Sequence, residues 1–268
     1  MNALRFHVST AGYLRTRTLG RFFEAARFGP LSSLSLDAVE DPTEAPLAPG
    51  WVALDVMACG ICGTDLATVS YHTSPVLEPF GSFPAALGHE ILARVRAVGP
   101  GVTGVQVGDR VSVDPFLSCQ ARGHAADQGC PSCREGRPAT CEEAGEEGVP
   151  GAGPHFDAPP LAPGTTVGYH RDLPGGFGPR MVAHETQLFP VPEALDDRTA
   201  VLTEPLSIGL HAVLNVRGTG RSLDPDEDVL VIGSGPIAMG VIWALRATGF
   251  RGSITAQTKR SHEAEMAR

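Results

Sequence analysis

The chain is predicted to have a mixed β and α/β fold: a small, mostly antiparallel β-barrel or sandwich over residues 1–195, then a parallel α/β unit over 196–268. Three observations carry this. Up to about residue 192, short apolar segments are separated by turns rich in the chain's 32 glycines and 23 prolines. From Asp196 the apolar spacing becomes helical, at Leu206, Leu210, Val213 and Leu214. The unbroken apolar run from Val229 to Ile232 then enters a Gly-Ser-Gly-Pro turn and a further apolar helix, the order expected of a buried parallel strand and its crossover.

In chain order, Met1 to Val8 reads as a first strand. Residues Ala11 to Pro49 have no clean period and end in a proline-rich run, which predicts a long surface excursion with a short helix near Arg21 to Arg27. Trp51, Ala53, Asp55 and Met57 alternate with Val52, Leu54 and Val56, the period of a half-buried strand. Ile91 to Val98 is a second such strand, Gly99-Pro100-Gly101 a turn, and Val105 to Val113 a third strand broken at Gly108-Asp109. Glu142 to Pro163, rich in Gly, Pro and Glu, is expected to be an irregular loop, and strand character returns between Gly175 and Pro192. In the second region Thr203 is a candidate helix cap, and Pro205 suits a first helical turn. Asp228 to Ile232 is a strand, Ile237 to Thr248 a helix stopped by Gly249, and Ser253 to Gln257 a second parallel strand with a helix expected after it.

Composition narrows the function. The formal net charge is −9 with no run of Lys or Arg, which argues against nucleic acid and anionic membrane surfaces as partners. The charge-free stretch from Val229 to Leu245 nearly has the length of a membrane span, but the turn inside it argues against one. The first 23 residues hold Arg5, Arg15, Arg17 and Arg21 and no acid, a faint echo of a transit peptide that the strand pattern of Met1 to Val8 outweighs. No secretory segment is recognisable. A cytoplasmic protein is expected, its six cysteines serving as thiols or metal ligands and not as a disulfide framework.

The chemistry concentrates in four places. Cys59-Gly60-Ile61-Cys62-Gly63-Thr64-Asp65 and Gly88-His89-Glu90 bring a thiol, a hydroxyl, an imidazole and a carboxylate into two glycine-rich segments. These are donors that zinc prefers, and a catalytic zinc site leaves one position open for water or substrate. Cys130-x2-Cys133-x7-Cys141, with Cys119 upstream, offers four thiolates for a closed structural zinc; disulfides and unconnected thiols are the other readings. Ten residues separate Cys119 from Cys130, and His124 in that spacer is an alternative fourth ligand.

Gly233-x-Gly235-x2-Ala238, directly after an apolar strand, fits a pyrophosphate-binding turn. Gly233 permits the tight turn, Gly235 lets a phosphate approach the backbone, and small Ala238 allows close helix packing, with Ser234, Pro236 and Ile237 completing the helix N-terminus. No acid stands at the end of the next strand, Ala256-Gln257-Thr258-Lys259-Arg260. The cations Lys259 and Arg260 suit the 2′-phosphate of NADP better than the hydroxyl of NAD. Finally, Glu204 in Thr203-Glu204-Pro205-Leu206 is by itself only a first-turn charge on a helix dipole.

With these motifs in this order, and with Gly108-Asp109-Arg110-Val111 and Gly175-Gly176-Phe177 between them, the chain resembles the zinc-dependent medium-chain alcohol dehydrogenases over roughly residues 50 to 268. The polyol, glucose and threonine dehydrogenase branch is the nearest in pattern. The resemblance implies a GroES-like barrel followed by a Rossmann domain, with a catalytic zinc at the cleft between them and a structural zinc in the cysteine cluster. It implies that Cys62, His89 and Glu90 are catalytic zinc ligands, that Glu204 is a near or exchangeable one, and that Thr64 passes on the substrate hydroxyl's proton. It further implies a small alcohol, polyol or sugar substrate, NAD(P) as hydride carrier and a homo-oligomer, while Cys59 falls outside the pattern and is expected to pack as a small apolar residue.

Three departures from the family pattern stand out. Gln120 to Gly129 separate the first two cysteines of the cluster; Ala67 occupies the position where many members carry a relay histidine, leaving water or His72; and only two strands of a roughly six-stranded dinucleotide sheet fit before Arg268. The second domain is therefore expected to be truncated. The alternative to an enzyme is a non-catalytic zinc-binding fragment or interaction module, disfavoured because half a parallel sheet exposes an apolar edge.

Overall fold

The structure, a computed structural model, describes residues 1–73, 81–218, 224 and 227–266. It divides into two compact units, Met1–Val201 and Leu202–Arg268.

The first unit begins with β1 (Asn2–Phe6), followed by α1 (Thr10–Leu19), the single turn α2 (Ala25–Phe28) and β2 (Leu34–Ala38). β2 returns antiparallel to β1, with Asn2 opposite Ala38 and Phe6 opposite Leu34. The excursion expected from Ala11 to Pro49 thus contains two helices and a strand. α1 escapes sequence reading because it has no clear apolar stripe. It is fixed by a cap, Ser9 Oγ accepting from the Gly12 amide at 3.0 Å, and by buried Thr16, whose hydroxyl donates to the Ala26 carbonyl at 3.1 Å.

β3 (Trp51–Gly60) is an interior strand of the unit's larger sheet. It runs into α3 (Gly63–Val69); β4 (Ala85–Ala86) pairs with the other edge of β1 to complete a separate three-stranded sheet, and β5 (Glu90–Val98) and β6 (Arg110–Val113) extend the sheet of β3. Trp51 to Leu54 are all buried, where alternation predicted a strand buried on one face only. The reason is position: β3 is hydrogen-bonded on both edges and covered on both sides at this end. Only Arg110–Val113 of the expected Val105 to Val113 strand is extended. The preceding residues form a turn in which Asp109 accepts from the Gln106 amide at 2.9 Å and Gly108 adopts φ +97°.

After α4 (Pro131–Arg134), the segment from Glu142 to Pro163 forms no helix or named strand, as its composition predicts. β7 (Arg180–His184) and β8 (Leu188–Pro190) complete an antiparallel sheet of order β7-β3-β5-β6-β8, and α5 (Asp197–Ala200) ends the unit. The core includes Trp51, Leu54, Ile91, Val111, Leu117 and Met181, each removed from water at a gain of roughly 1.5–3 kcal/mol. Arg110 is buried as well, and its two terminal nitrogens donate at 2.8 Å to the Leu195 carbonyl and to Asp197, tying the end of the unit to the sheet.

The second unit contains α6 (Thr203–Gly218), β9 (Val229–Ile232), α7 (Pro236–Ala247), β10 (Ile254–Gln257) and α8 (Ser261–Met266). β9 and β10 pair in parallel, Val229 opposite Ile254, as the βαβ pattern predicts. α6 and α7 touch backbone to backbone: a Cβ on Gly209 would come within 2.4 Å of the Gly240 carbonyl carbon. The small core comprises Val213, Val231, Ala244, Leu245 and Phe250, while Leu230 and Ile232 of β9 are 62% and 76% exposed.

Candidate active site and metal centres

The sheet of the first unit delivers the Cys62 group. β3 ends at Gly60 directly opposite Glu90, the first residue of β5, and Cys62 caps α3 two residues later. A Cβ on Gly60 would stand 2.0 Å from the Glu90 carboxylate, so the glycine makes the space that this carboxylate occupies. Gly88, at φ +94°, turns the chain so that His89 enters the same space. The Gly88 carbonyl accepts from the Gly176 amide at 2.9 Å, and side chains on Gly168 or Gly175 would collide with it, at 2.5 and 2.2 Å. The ligand atoms of Cys62, His89 and Glu90 consequently lie within 4.8 Å of one another. Thr64 joins them, its hydroxyl 3.5 Å from the Cys62 sulfur.

Behind the triplet stands Asp65. Its carboxylate accepts from the Cys62 amide at 2.9 Å and from the Tyr169 hydroxyl at 2.7 Å, and it lies 3.5 Å from His89 Nδ1. His89 Nδ1 is buried and has no hydrogen bond in this geometry, so it faces Asp65 at ion-pair distance. Burial depresses the imidazole pKa, but Asp65 and Cys62 more than offset it and push His89 up to about 10. Cys62 is held below its usual value, chiefly by His89 and against its own burial. A thiol, an imidazole and a carboxylate converge here, and a second carboxylate behind the histidine is the arrangement that orients an imidazole toward a metal. The donor set therefore fits zinc with an open position. Asp65 was readable as an acid in the first turn of α3; Tyr169, from a distant loop, has no local signal. Cys59 is half-buried, its sulfur packed where side chains on Gly88 or Gly176 would stand.

The second group is the cysteine cluster. Cys119, Cys130, Cys133 and Cys141 present four sulfurs within 4.8 Å of one another, and His124 is not among them. All six cysteines are free, and Cys119 and Cys141 sulfurs stand 3.6 Å apart. Backbone amides point at the sulfurs: Cys130 N to Cys119 at 3.3 Å, Cys119 N to Cys133 at 3.4 Å, and Glu142 N to Cys130 at 3.4 Å. Burial raises the Cys119 thiol to about 11 and Cys133 further. Burial acts on Cys130 too, but the Glu142 and Cys133 amides bring it down to about 7. Four convergent sulfurs, three of them buried, with amide donors around them fit a closed tetrathiolate site.

In the second unit, Gly233 adopts φ +126° and Gly235 caps α7 with Pro236 in its first turn. A Cβ on Gly235 would meet no atom of the chain, leaving the helix N-terminus open to an anion. Ser234, Ile237 and Ala238 follow the same turn, and Glu204 lies in the first turn of α6. An acid does reach the end of β10, where the sequence offered none. Glu263 comes back from α8, and one of its oxygens accepts from Ser234 Oγ at 2.9 Å and from the Lys259 and Arg260 amides at 3.0 Å each. The half capping box formed by Arg260 and Glu263 was the available signal.

Residues 48–193 match the alcohol dehydrogenase GroES-like domain, more than half of the chain. The chain is 33% identical over 211 residues to the starvation-sensing protein RspB of Escherichia coli, covering 79% of this chain and 50% of that protein. It is 32% identical over 213 residues to (R,R)-butanediol dehydrogenase of Saccharomyces cerevisiae, covering 74% and 48%. Among solved structures, rspB from Escherichia coli CFT073, an alcohol dehydrogenase complexed with NADH, superposes with a TM-score of 0.67 at 26% identity, over 100% of this chain and 59% of that one. The chain thus spans about half the length of the curated relatives it matches. On its fold, its motifs and these relatives, the chain belongs to the zinc-dependent medium-chain alcohol and polyol dehydrogenases.

Proposed function

We propose that the chain carries the catalytic domain and the start of the nucleotide domain of a zinc-dependent oxidoreductase, which moves a hydride between a secondary alcohol, polyol or sugar hydroxyl and NAD(P). The convergence of Cys62, His89 and Glu90 within 4.8 Å, with Thr64 beside them, is the observation that supports it most directly. Zinc bound there supplies Lewis acidity to a substrate oxygen, and a bound nicotinamide supplies the hydride acceptor or donor. The chain's residues do the rest. Cys62, His89 and Glu90 hold the metal, Glu204 serves as its exchangeable ligand, Asp65 fixes the His89 ring, and Thr64 relays the hydroxyl proton. The structural zinc belongs to Cys119, Cys130, Cys133 and Cys141.

The turn formed by Gly233, Ser234, Gly235, Pro236, Ile237 and Ala238 takes the pyrophosphate. Lys259 and Arg260 favour NADP, whereas the carboxylate of Glu263 on their amides opposes a second phosphate and favours NAD. Direct comparison of the two cofactors decides between them. Relatives that are named dehydrogenases do not favour the non-catalytic alternative. No helix of the described residues is long and apolar enough to cross a membrane. The family resemblance supports a cytoplasmic homo-oligomer, which sedimentation and fractionation would check. The decisive experiment is zinc per chain together with oxidation of a panel of secondary alcohols and polyols, in the wild type and in Cys62→Ser. Two zincs falling to one, with loss of turnover, is the expected result; an unchanged zinc content refutes the catalytic assignment.

A further inference from the structure

Arg122 is the second largest of the fully buried side chains, with 1% of its surface exposed. It lies in the Gln120 to Gly129 spacer that separates Cys119 from the rest of the cluster. A guanidinium remains charged in proteins, and a buried charge is costly without a counter-charge. Burial opposes its charged form, which the nearby sulfurs of Cys141, Cys119 and Cys133 favour, and its amide donates to the Cys119 carbonyl at 3.1 Å. Its Nη1 donates to the Glu146 carbonyl at 3.3 Å and to the Ala162 carbonyl at 3.5 Å, its Nη2 donates to the Gly164 carbonyl, and its Nε is buried without a hydrogen bond. The Ala162 carbonyl also accepts from fully buried His170 at 2.9 Å, and the Arg122 carbonyl accepts from the Val149 amide at 2.8 Å. One side chain, rooted three residues beyond Cys119, therefore holds carbonyls at both ends of the irregular loop, and the Gly164 amide in turn donates at 2.9 Å to the carbonyl of Ala144, which packs against the cysteines.

We propose that Arg122 is the built-in counter-charge of the four-cysteine centre and that it couples metal occupancy to the order of the Glu142 to Pro163 loop. This rests on reading the cluster as a zinc site. Four thiolates around a divalent cation leave two net negative charges in a buried place, and Arg122 cancels one of them. The long spacer, an oddity by the family's pattern, brings the cation into the core alongside Cys119. With the metal present, the sulfurs hold the guanidinium and the guanidinium holds the carbonyls of Glu146, Ala162 and Gly164. With the metal gone, that anchor loses its reason to stay buried.

The test uses Cys62→Ser protein, in which only the cluster retains metal, and measures zinc affinity by competition with a chromophoric chelator. Arg122→Gln is expected to weaken affinity by about 10- to 100-fold, the usual effect of removing a group that supports the ligands, and Arg122→Lys to recover part of that loss by restoring the charge. A second measurement needs no substitution in the loop or its anchor: a glutamate-specific protease should cut at Glu142, Glu143, Glu146 or Glu147 about tenfold faster after zinc is stripped, and slow again when zinc returns. Equal zinc affinity in Arg122→Gln, or cleavage indifferent to zinc, overturns the proposal. Cys62→Ser protein holding no zinc overturns the underlying zinc reading instead.

Discussion

The Cys62 group and the Cys119 cluster use the same metal-binding element in opposite ways. Three different donors, from a helix cap, the residue before a strand and that strand's first residue, form the first, which a hydroxyl and an acid border. Four identical donors on one long loop form the second, closed in by amides and a buried arginine. A site framed by a sheet has its geometry before any metal arrives, whereas a site on a loop has to be assembled by the metal. The first is suited to exchanging ligands and the second to keeping them.

Breaking the loop site should have the largest effect. Cys133→Ser removes a ligand that nothing else replaces, and unfolding of the first unit in urea should become easier by about 4 kcal/mol or more, the range reached when a structural metal is lost. Cys62→Ser should leave that midpoint almost unchanged and lower turnover by about a hundredfold or more, as expected when a group stabilising developing charge is removed. Similar losses of stability from both substitutions would erase the distinction. Gly60→Ala should fall between them in subtlety: it puts a methyl where the Glu90 carboxylate lies, and zinc should be held less tightly at the Cys62 group with the cluster's zinc unaffected, as metal analysis across a chelator series would show.

The two sites should also differ in pH response. In metal-free protein His89 is raised from 6.5 to about 10, so the protonated form gives stability that is complete below about pH 6.5 and is lost as pH rises through about 10. His89→Gln should abolish this window, and the unfolding midpoints of metal-free wild type and variant should converge above it. The cluster has no imidazole, so its acid-base response comes from thiols alone. The smallest effect belongs to the second unit: Glu263→Gln removes a half-buried charge from the end of β10 and should shift preference toward NADP by no more than about fivefold, read from the ratio of the two KM values.

Much of this was legible in residue types. The strands around Trp51 and Ile91, the βαβ pattern and both sets of metal donors have local signatures: alternation, a glycine turn after an apolar run, and thiols at short spacing. What escaped depends on distant partners. α1 lacks an apolar stripe because much of its exposed side carries Tyr13, Leu14 and Leu19, and only the Ser9 cap announces it. The two-sided burial of Trp51 to Leu54 follows from pairing with β5 and β7, which no window along β3 contains. Tyr169 meets Asp65 across 104 residues, and Arg122 meets Gly164 across 42. Cys119 was ambiguous for the same reason, since only the folded spacer decides whether its sulfur or His124 faces the other three.

Around Gly88, glycines from two other segments crowd the carbonyl that precedes His89. Their contribution is to leave no room, so the turn that carries this imidazole is fixed by main chain, and Asp65 has only the ring left to orient. A residue aimed by side chains can drift as those side chains are exchanged over time. Here a change in the pocket's walls leaves the turn that presents the imidazole where the main chain puts it.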